Sequence, residues 1–471
     1  MKETVLKENE TIRVVNVGSS IFLNDLLAQN TEFVSVHYQP PAGGQKKWVD
    51  ALVKAETQHD QIQEANQYAL KKVLNATAHL TAMRPAIQVI PGMTEKTFLH
   101  AGPPVTYAKM AGPMKGAILG AIVFEGLAKN LKEAEQLAQS GQLHFAPAHD
   151  YHAVGPMAGI VSPQMPVHVV EDHVHKNTAY CSVNEGLGKV LRYGANSEDV
   201  IQRLRWIRDV FAPIMSEALT ITGPIDLKQI IAQALQMGDE THNRNKAATA
   251  LFLKEIARAI FLTQASMDQK VMAFDFIKNN DHYFLNLSMP SAKVCLDAAQ
   301  GTKGSSMVTI MARNGVDFGI KIASSNQWFT APANYVKGLY FTGYSEKDAA
   351  PDIGDSAITE TYGLGGFAMG GAPAIVQFVG GTVEDALNYS RKMHFITVGK
   401  HTMMQLPTLN FAPSALGIDI LKVIASNQLP IINTGIAHKE PGVGQVGAGL
   451  VEPPLACFQD ALAAFVKELH V

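Results

Sequence analysis

The sequence predicts a multidomain α/β protein, and three observations carry that prediction. A strand, a helix and a strand follow one another near the start. The middle of the chain turns amphipathic and helical, and the rest is glycine-rich with short apolar runs. At 471 residues the chain exceeds what one core supports. The division read from these shifts is a Rossmann-like α/β domain over 1–100 and the first part of a second α/β domain over 101–194. An inserted small helical domain over 195–280 and a glycine-rich α/β domain over 281–471 complete it.

Composition narrows the class. Hydrophobic residues make up 47% and charged residues 17%, the balance of a well-buried globular chain. A net charge of −3 gives no general attraction to nucleic acid or acidic membranes. Cys181, Cys295 and Cys457 are far apart and odd in number, so neither a disulfide framework nor a zinc spacing is present. The opening MKETVLKENE lacks an apolar signal core, and a cytoplasmic location is expected. The uncharged run 361–383 is long enough to span a bilayer, but its glycines, Pro373 and Gln377 argue against that.

Taken in order, Arg13–Val17 reads as a strand ending at Gly18, IFLNDLLAQN as a helix and Phe33–Tyr38 as a second strand, a βαβ unit. Only Gly18 stands where a dinucleotide loop carries three glycines, so a Rossmann-like shape without nicotinamide is expected. Ile62, Ala65, Ala69 and Val73 recur at helical spacing, and Ala86–Ile90 reads as a buried strand. Gly112, Gly116 and Gly120 make a smooth helical stripe suited to close packing. From Ser197 the pattern is helical: Val200, Leu204, Ile207 and Phe211 form one stripe, and Asp226 caps a helix stopped by Gly238. Further helices span about 243–262 and 267–278. Met307–Ala312 and Phe318–Ala323 read as a hairpin turned at Asn314-Gly315. Leu429–Asn433 reads as a strand, and Leu455–Leu469 as the closing helix.

Three stretches have the residue types of a site. Asp348, Asp352, Asp355 and Glu360 lead into Gly363, Gly365, Gly366, Gly370 and Gly371, and such a loop can turn main-chain amides toward an anion. The apolar run Ala374–Val379 that follows reads as a buried helix whose N-terminus adds positive dipole. The competing reading is a tight crossing of two elements. The second stretch, Asp239-Glu240-Thr241-His242-Asn243-Arg244, lies between two helices. It offers His242 as a general base and Arg244 as a fork for a carboxylate or phosphate, against an ordinary Glu240–Arg244 pair on a wet face. The third, Gly301, Lys303, Gly304, Ser305 and Ser306 with Arg313 beyond, has phosphate-binding chemistry without the Walker spacing. HFAPAHDYH (144–152) and the alternation Glu171, His173, His175 match no metal-ligand spacing and are read as solvated or singly hydrogen-bonded side chains.

Several motifs in this order resemble one family. They are PPAGG (40–44), HAGPP (100–104), GPMKGAILGA (112–121), NEGLGKVLRYGAN (184–196), GDETHNRN (238–245), MARNG (311–315), the glycine block 352–382 and NTGIAHKEPGVGQVGAGLVEPP (433–454). Together they resemble the bacterial YahG/YlbE-like proteins over essentially the whole chain. The resemblance implies a subunit of oxamate carbamoyltransferase in purine (allantoin) catabolism, encoded beside FdrA-like proteins and a carbamate kinase. The implied reaction converts oxalurate and phosphate to oxamate and carbamoyl phosphate. It needs a phosphate cradle, cations and a donor to the carbonyl oxygen, and neither a metal nor a cofactor. By residue type, His242, Arg244 and Glu360 are expected to be catalytic. Asp239, Glu240, Asn243, Arg313, Asp355 and the two glycine loops are expected to bind substrate. The expected partners are carbamoyl phosphate with oxamate or oxalurate, an FdrA-like subunit and further copies of the chain, with no nucleic acid and no membrane. The alternative is a non-catalytic scaffold subunit with the chemistry on the FdrA-like protein.

Overall fold

The organising element is a helix the sequence pattern did not single out. In the structure, a computed structural model that describes residues 13–36 and 38–469, Leu285–Asp297 runs through the interior with every residue from Leu285 to Leu296 buried. Its sequence LNLSMPSAKVCLD has no solvent face to present, so it buries all round. Pro290 stands inside it, and the proline costs the helix a hydrogen bond to the carbonyl four residues before. The helix lies against the strands Pro166–Glu171 and Thr178–Ser182, the helix His59–Asn75 and the short turn Ile358–Thr361.

Around it the architecture is mixed α/β with several small sheets. A five-stranded sheet has the order Ala153–Val154, Thr178–Ser182, Pro166–Glu171, His79–Pro85, Ile225–Asp226, antiparallel except for its first pair. A four-stranded antiparallel sheet runs Ser325–Pro332, Asp317–Ile322, Val308–Asn314, Ile353–Gly354. A three-stranded antiparallel sheet joins Lys337–Tyr340, Gln445–Val451 and Ile432–Ala437. No helix among the described residues is long and apolar enough to cross a membrane.

Many expectations for individual elements hold. The hairpin turns at Asn314-Gly315, where Gly315 takes φ +79° and the Asn314 side chain accepts the amides of Val316 and Asp317. The helical middle comprises Glu198–Trp206, Ala212–Thr222, Leu227–Gln236, Lys246–Leu262 and Met267–Lys278. Asp226 caps its helix through the Gln229 amide, as its position suggests. A Cβ on Gly116 of the helix Gly112–Phe124 would stand 2.4 Å from the Gly194 carbonyl oxygen, so the glycine stripe is a contact between backbones.

Others are corrected. Arg13–Val17 and Glu32–Val36 do pair in parallel around the helix Leu23–Ala28, but the sheet stops at two strands and that helix buries none of its residues. The next strand, His79–Pro85, joins a different sheet in antiparallel fashion, so no Rossmann-like sheet forms among the described residues. The second strand ends at Val36; residue 37 and the opening MKETVLKENE lie outside the described residues. Ala86–Ile90 is not a strand: Ala86–Val89 is one helical turn, its first amides taken by the carbonyls of Met165 and Pro163. The expected helix after the glycine block is also one turn, Val376–Val379, too short to add a useful dipole.

The core holds histidines that cannot easily charge. His168, on the strand facing Met83 and Cys181, is fully buried, with neither ring nitrogen hydrogen-bonded and its ring edge-on to Tyr283. Burial pulls its pKa down to about 3. The unfolded chain therefore binds a proton at pH 4–6 that the folded chain does not, and this group costs stability as pH falls below 6.5. We expect His168→Leu, which cannot charge, to gain stability relative to the wild type as pH is lowered from 7 to 4.5. Thermal unfolding curves of both proteins across that range check this; a constant difference contradicts it.

Candidate functional site

The loop between Leu227–Gln236 and Lys246–Leu262 is buried. Asp239, Glu240 and His242 are 1%, 0% and 2% exposed, so the wet-face pair with Arg244 does not form. Asp239 instead accepts the Ala248 amide at 3.0 Å, in the first turn of the following helix. Glu240 accepts the main-chain amides of His242 (2.9 Å) and Arg244 (2.6 Å), while the Arg244 guanidinium donates to the Gly238 carbonyl. Burial raises the Glu240 carboxyl to about 7, against the nearby His242. Asn243 is half-buried beside them, its amide nitrogen without a partner.

Folding brings Glu360 to this loop from 118 residues away. His242 Nδ1 lies 2.8 and 3.0 Å from the two carboxylate oxygens, which also accept the Gly366 amide (2.9 Å) and the Thr359 hydroxyl (3.0 Å). The glycine block is shaped for this carboxylate. Gly365 takes φ +53°, and a Cβ there would sit 2.0 Å from Glu360 Oε1.

The open anion nest is accordingly not what the glycines build. The amides of Gly363 and Gly365 donate to the carbonyls of Glu360 and Glu240, and that of Gly366 to the Glu360 side chain. The protein's own acceptors take the place expected for a ligand. The Gly301–Ser306 loop is likewise engaged. The Gly301 amide donates to Ala323, Ser305 and Ser306 bond Asn66, and the Ser306 hydroxyl donates to Asp419 at 2.8 Å. Lys303 is exposed and Gly304 half-buried, and no hydrogen bond joins this loop to the His242 group. It ties the helix His59–Asn75 to the chain at 419.

Arg313 is fully buried and fully used. It donates to Asp352 (2.7 Å), to the Gly354 carbonyl (2.8 Å), to Ser356 (3.2 Å) and to Thr434 (3.0 Å). It therefore fixes the 352–356 segment and does not offer a free fork to a ligand. Next to Thr434, Asn433 gives its amide to Glu360 at 3.3 Å, while its buried side chain has no partner on either atom.

The segment Arg313 fixes presents Asp355, which accepts the amides of Gly102 (2.8 Å) and Gly155 (3.0 Å) and lies 3.4 Å from His149 Nε2. Burial lifts the Asp355 carboxyl to about 7, with the two amides and Arg313 opposing. Burial, reinforced by Lys293, pulls His149 well below the ordinary histidine range, and neither of its ring nitrogens has a hydrogen-bond partner. Lys293, 1% exposed on the central helix, pairs with Asp297 at 2.6 Å, and Asp297 meets His152 at 2.9 Å. Burial alone would raise Asp297, but Lys293 and His152 more than offset it and hold the carboxyl low. Lys321, stacked on Trp328, pairs with Asp150 at 2.6 Å beside them.

The result is a continuous polar seam through an apolar interior. Glu240, His242 and Glu360 occupy the enclosed end. Arg313, Asp352 and Asp355 form the middle, and His149, Lys293, Asp297 and His152 lead outward to a half-exposed His152 side chain. Two buried groups there, Asp355 and Glu240, change protonation near neutral pH, and cations lie within the same seam, a pairing suited to moving a proton beside a bound anion. Among the described residues no group of three or more His, Cys, Asp or Glu side chains has the geometry to hold a metal ion. The sequence reading took His149 for a solvated or singly hydrogen-bonded side chain, whereas it is buried with no hydrogen-bond partner, and that reading missed Lys293 and Asp297. The overlooked signal was a lone lysine inside LSMPSAKVCL, where an apolar run gives a charge no exit to water.

A family model described as oxamate carbamoyltransferase subunit AllG matches residues 143–356, a span that holds His149, His242, Lys293, Arg313 and Asp355. YahG of Escherichia coli K12, described as uncharacterized, is 46% identical over 98% of this chain and 99% of its own length. Oxamate carbamoyltransferase subunit AllG of the same organism is 44% identical over 87% of this chain and 99% of its own. A crystal structure of a conserved protein of unknown function from Enterococcus faecalis V583 superposes with a TM-score of 0.86 at 48% identity, covering 87% of this chain and 99% of that one. Sequence and fold agree over nearly the full length of each relative, and the chain belongs to the family that contains YahG and the carbamoyltransferase subunit AllG.

Proposed function

We propose that this chain is a subunit of an oxamate carbamoyltransferase-type enzyme in purine catabolism and contributes the seam at Lys293, His149 and Asp355 to the reaction. The observation that carries the reading is a buried lysine beside a histidine–carboxyl pair that changes protonation near neutral pH. It lies within the span matched by a family model named for that transferase. In the catabolic direction a phosphate oxygen attacks the carbamoyl carbon of oxalurate. The bond from that carbon to the oxamate nitrogen breaks, and the nitrogen takes a proton as oxamate leaves. Lys293, with Lys321 nearer the surface, neutralises phosphate and the developing oxyanion in a low-dielectric setting. Asp355, relayed by His149, supplies the proton. His242 and Glu360 are enclosed and bonded to each other, so we assign them to positioning the glycine block, together with Glu240 and Arg313. An FdrA-like protein as partner, and assembly with further copies, belong to the same proposal.

One observation favours a second reading. The glycine amides at 363–366 are all engaged within the chain. A scaffold role, with the chemistry on the FdrA-like partner, would need nothing more of them.

Two experiments separate these readings. Lys293→Met is expected to lower kcat/KM for oxalurate phosphorolysis about 10²–10³-fold in the assembled enzyme. Asp355→Asn is expected to remove the loss of rate that the wild type shows as pH rises through 7, because a protonated Asp355 is the acid. Unchanged turnover in both variants would assign the chemistry to the partner. Separately, the purified chain mixed with the FdrA-like protein, carbamoyl phosphate and oxamate is expected to yield oxalurate, measured by chromatography. No product from any combination of subunits contradicts the transferase assignment itself.

A further inference from the structure

Arg192 is a buried cation whose guanidinium makes little use of its donors. It is 7% exposed, and among the described residues no carboxylate oxygen lies within ion-pair distance of its guanidinium. The neighbouring Glu185 gives its oxygens to the main-chain amides of Leu191 (2.9 Å) and Arg192 (3.2 Å), and the Arg192 charge acts on it through space. The guanidinium makes one hydrogen bond, from Nη2 to the Gly186 carbonyl at 2.7 Å, and lies 5.2 Å from the Tyr193 ring centre. Its Nε is buried with no partner at all. A buried guanidinium nitrogen left without a partner is costly, and an added acceptor beside it would offset that cost.

The space for that anion is present. Arg192 lines an enclosed cavity of about 30 Å³ with Glu185, Ser182, Asn286 and the apolar side chains of Phe124 and Leu204. The Asn286 amide is already spent on Ser182 and Asn184, so the donors left in this lining are those of the arginine and the Ser182 hydroxyl. On the far side of Gly186 and Leu187, which take part in lining it, a surface cleft of about 550 Å³ shares Glu185 with the cavity. Gly186 and Gly188 hold φ of +99° and +87°, Leu187 between them is 57% exposed, and Gly186 and Leu187 line the cleft next to Glu185.

We infer that Arg192 and this cavity form a binding site for a small carboxylate, separate from the Lys293 seam and entered past the Gly186–Gly188 loop. The volume suits a flat carboxylate head on a short body. A tetrahedral phosphate would demand more donors than one arginine edge supplies. The two sites are divided by the 155–159 segment: Gly155 gives its amide to Asp355, while Pro156 and Gly159 line the cavity. The inference stands whether or not the Lys293 seam performs carbamoyl transfer.

Calorimetric titration of the full chain with sodium acetate, sodium oxamate and inorganic phosphate tests it. Saturable binding of a carboxylate is expected in the wild type and persists in Lys293→Met, where it is tighter than phosphate and falls at least tenfold when Arg192→Gln is added. A bromoacetate soak of wild-type crystals provides a reading independent of any variant's folding, with a bromine anomalous peak expected beside Arg192. No saturable carboxylate binding in Lys293→Met, equal binding after Arg192→Gln is added, tighter phosphate binding in Lys293→Met, or no bromine beside Arg192 would each overturn the inference.

Discussion

The molecule depends on burying charge along one helix. Lys293, buried inside Leu285–Asp297, is paired with Asp297 at 2.6 Å, and Asp297 is held in turn by His152. Removing one partner of such a pair typically costs about 3–5 kcal/mol, because the other is left uncompensated. Replacing both by apolar residues is often neutral or stabilising. Stability therefore gives no reason to keep the pair, and the role proposed for the lysine would give one.

The surrounding fold is arranged to bring distant segments to that helix. HAGPP contributes the Gly102 amide to Asp355, and a Cβ at Gly102 would meet the Arg313 main chain at 2.4 Å, so loop and strand must touch. Arg313 draws Gly354, Ser356 and Thr434 into one knot, and Thr434 adjoins the Asn433 that reaches Glu360. Four sequence-distant blocks thus share one hydrogen-bonded network.

How much of this was legible in the sequence depended on range. Local signals were read well: the Asn314-Gly315 turn, the Asp226 cap and the amphipathic helices each follow from a few adjacent residues. The glycine block was rightly picked out as special and wrongly filled. Composition shows that amides can approach something, but not that Glu360, six residues before Gly366, is the acceptor. The Rossmann-like start failed for a related reason. A βαβ pattern specifies two parallel strands, while sheet extension depends on partners that here pair elsewhere. His149 was visible in HFAPAHDYH, yet its meeting with Asp355 lies 206 residues away in sequence and only packing discloses it.

The role of the seam as an anion-handling centre can be tested by a crystal structure of the chain with phosphate and oxamate bound. The account predicts an anion within hydrogen-bonding distance of Lys293 Nζ, with His149 now engaged through a ring nitrogen. Anions bound only elsewhere, with the Lys293–Asp297 pair undisturbed and His149 still without a partner, would contradict it.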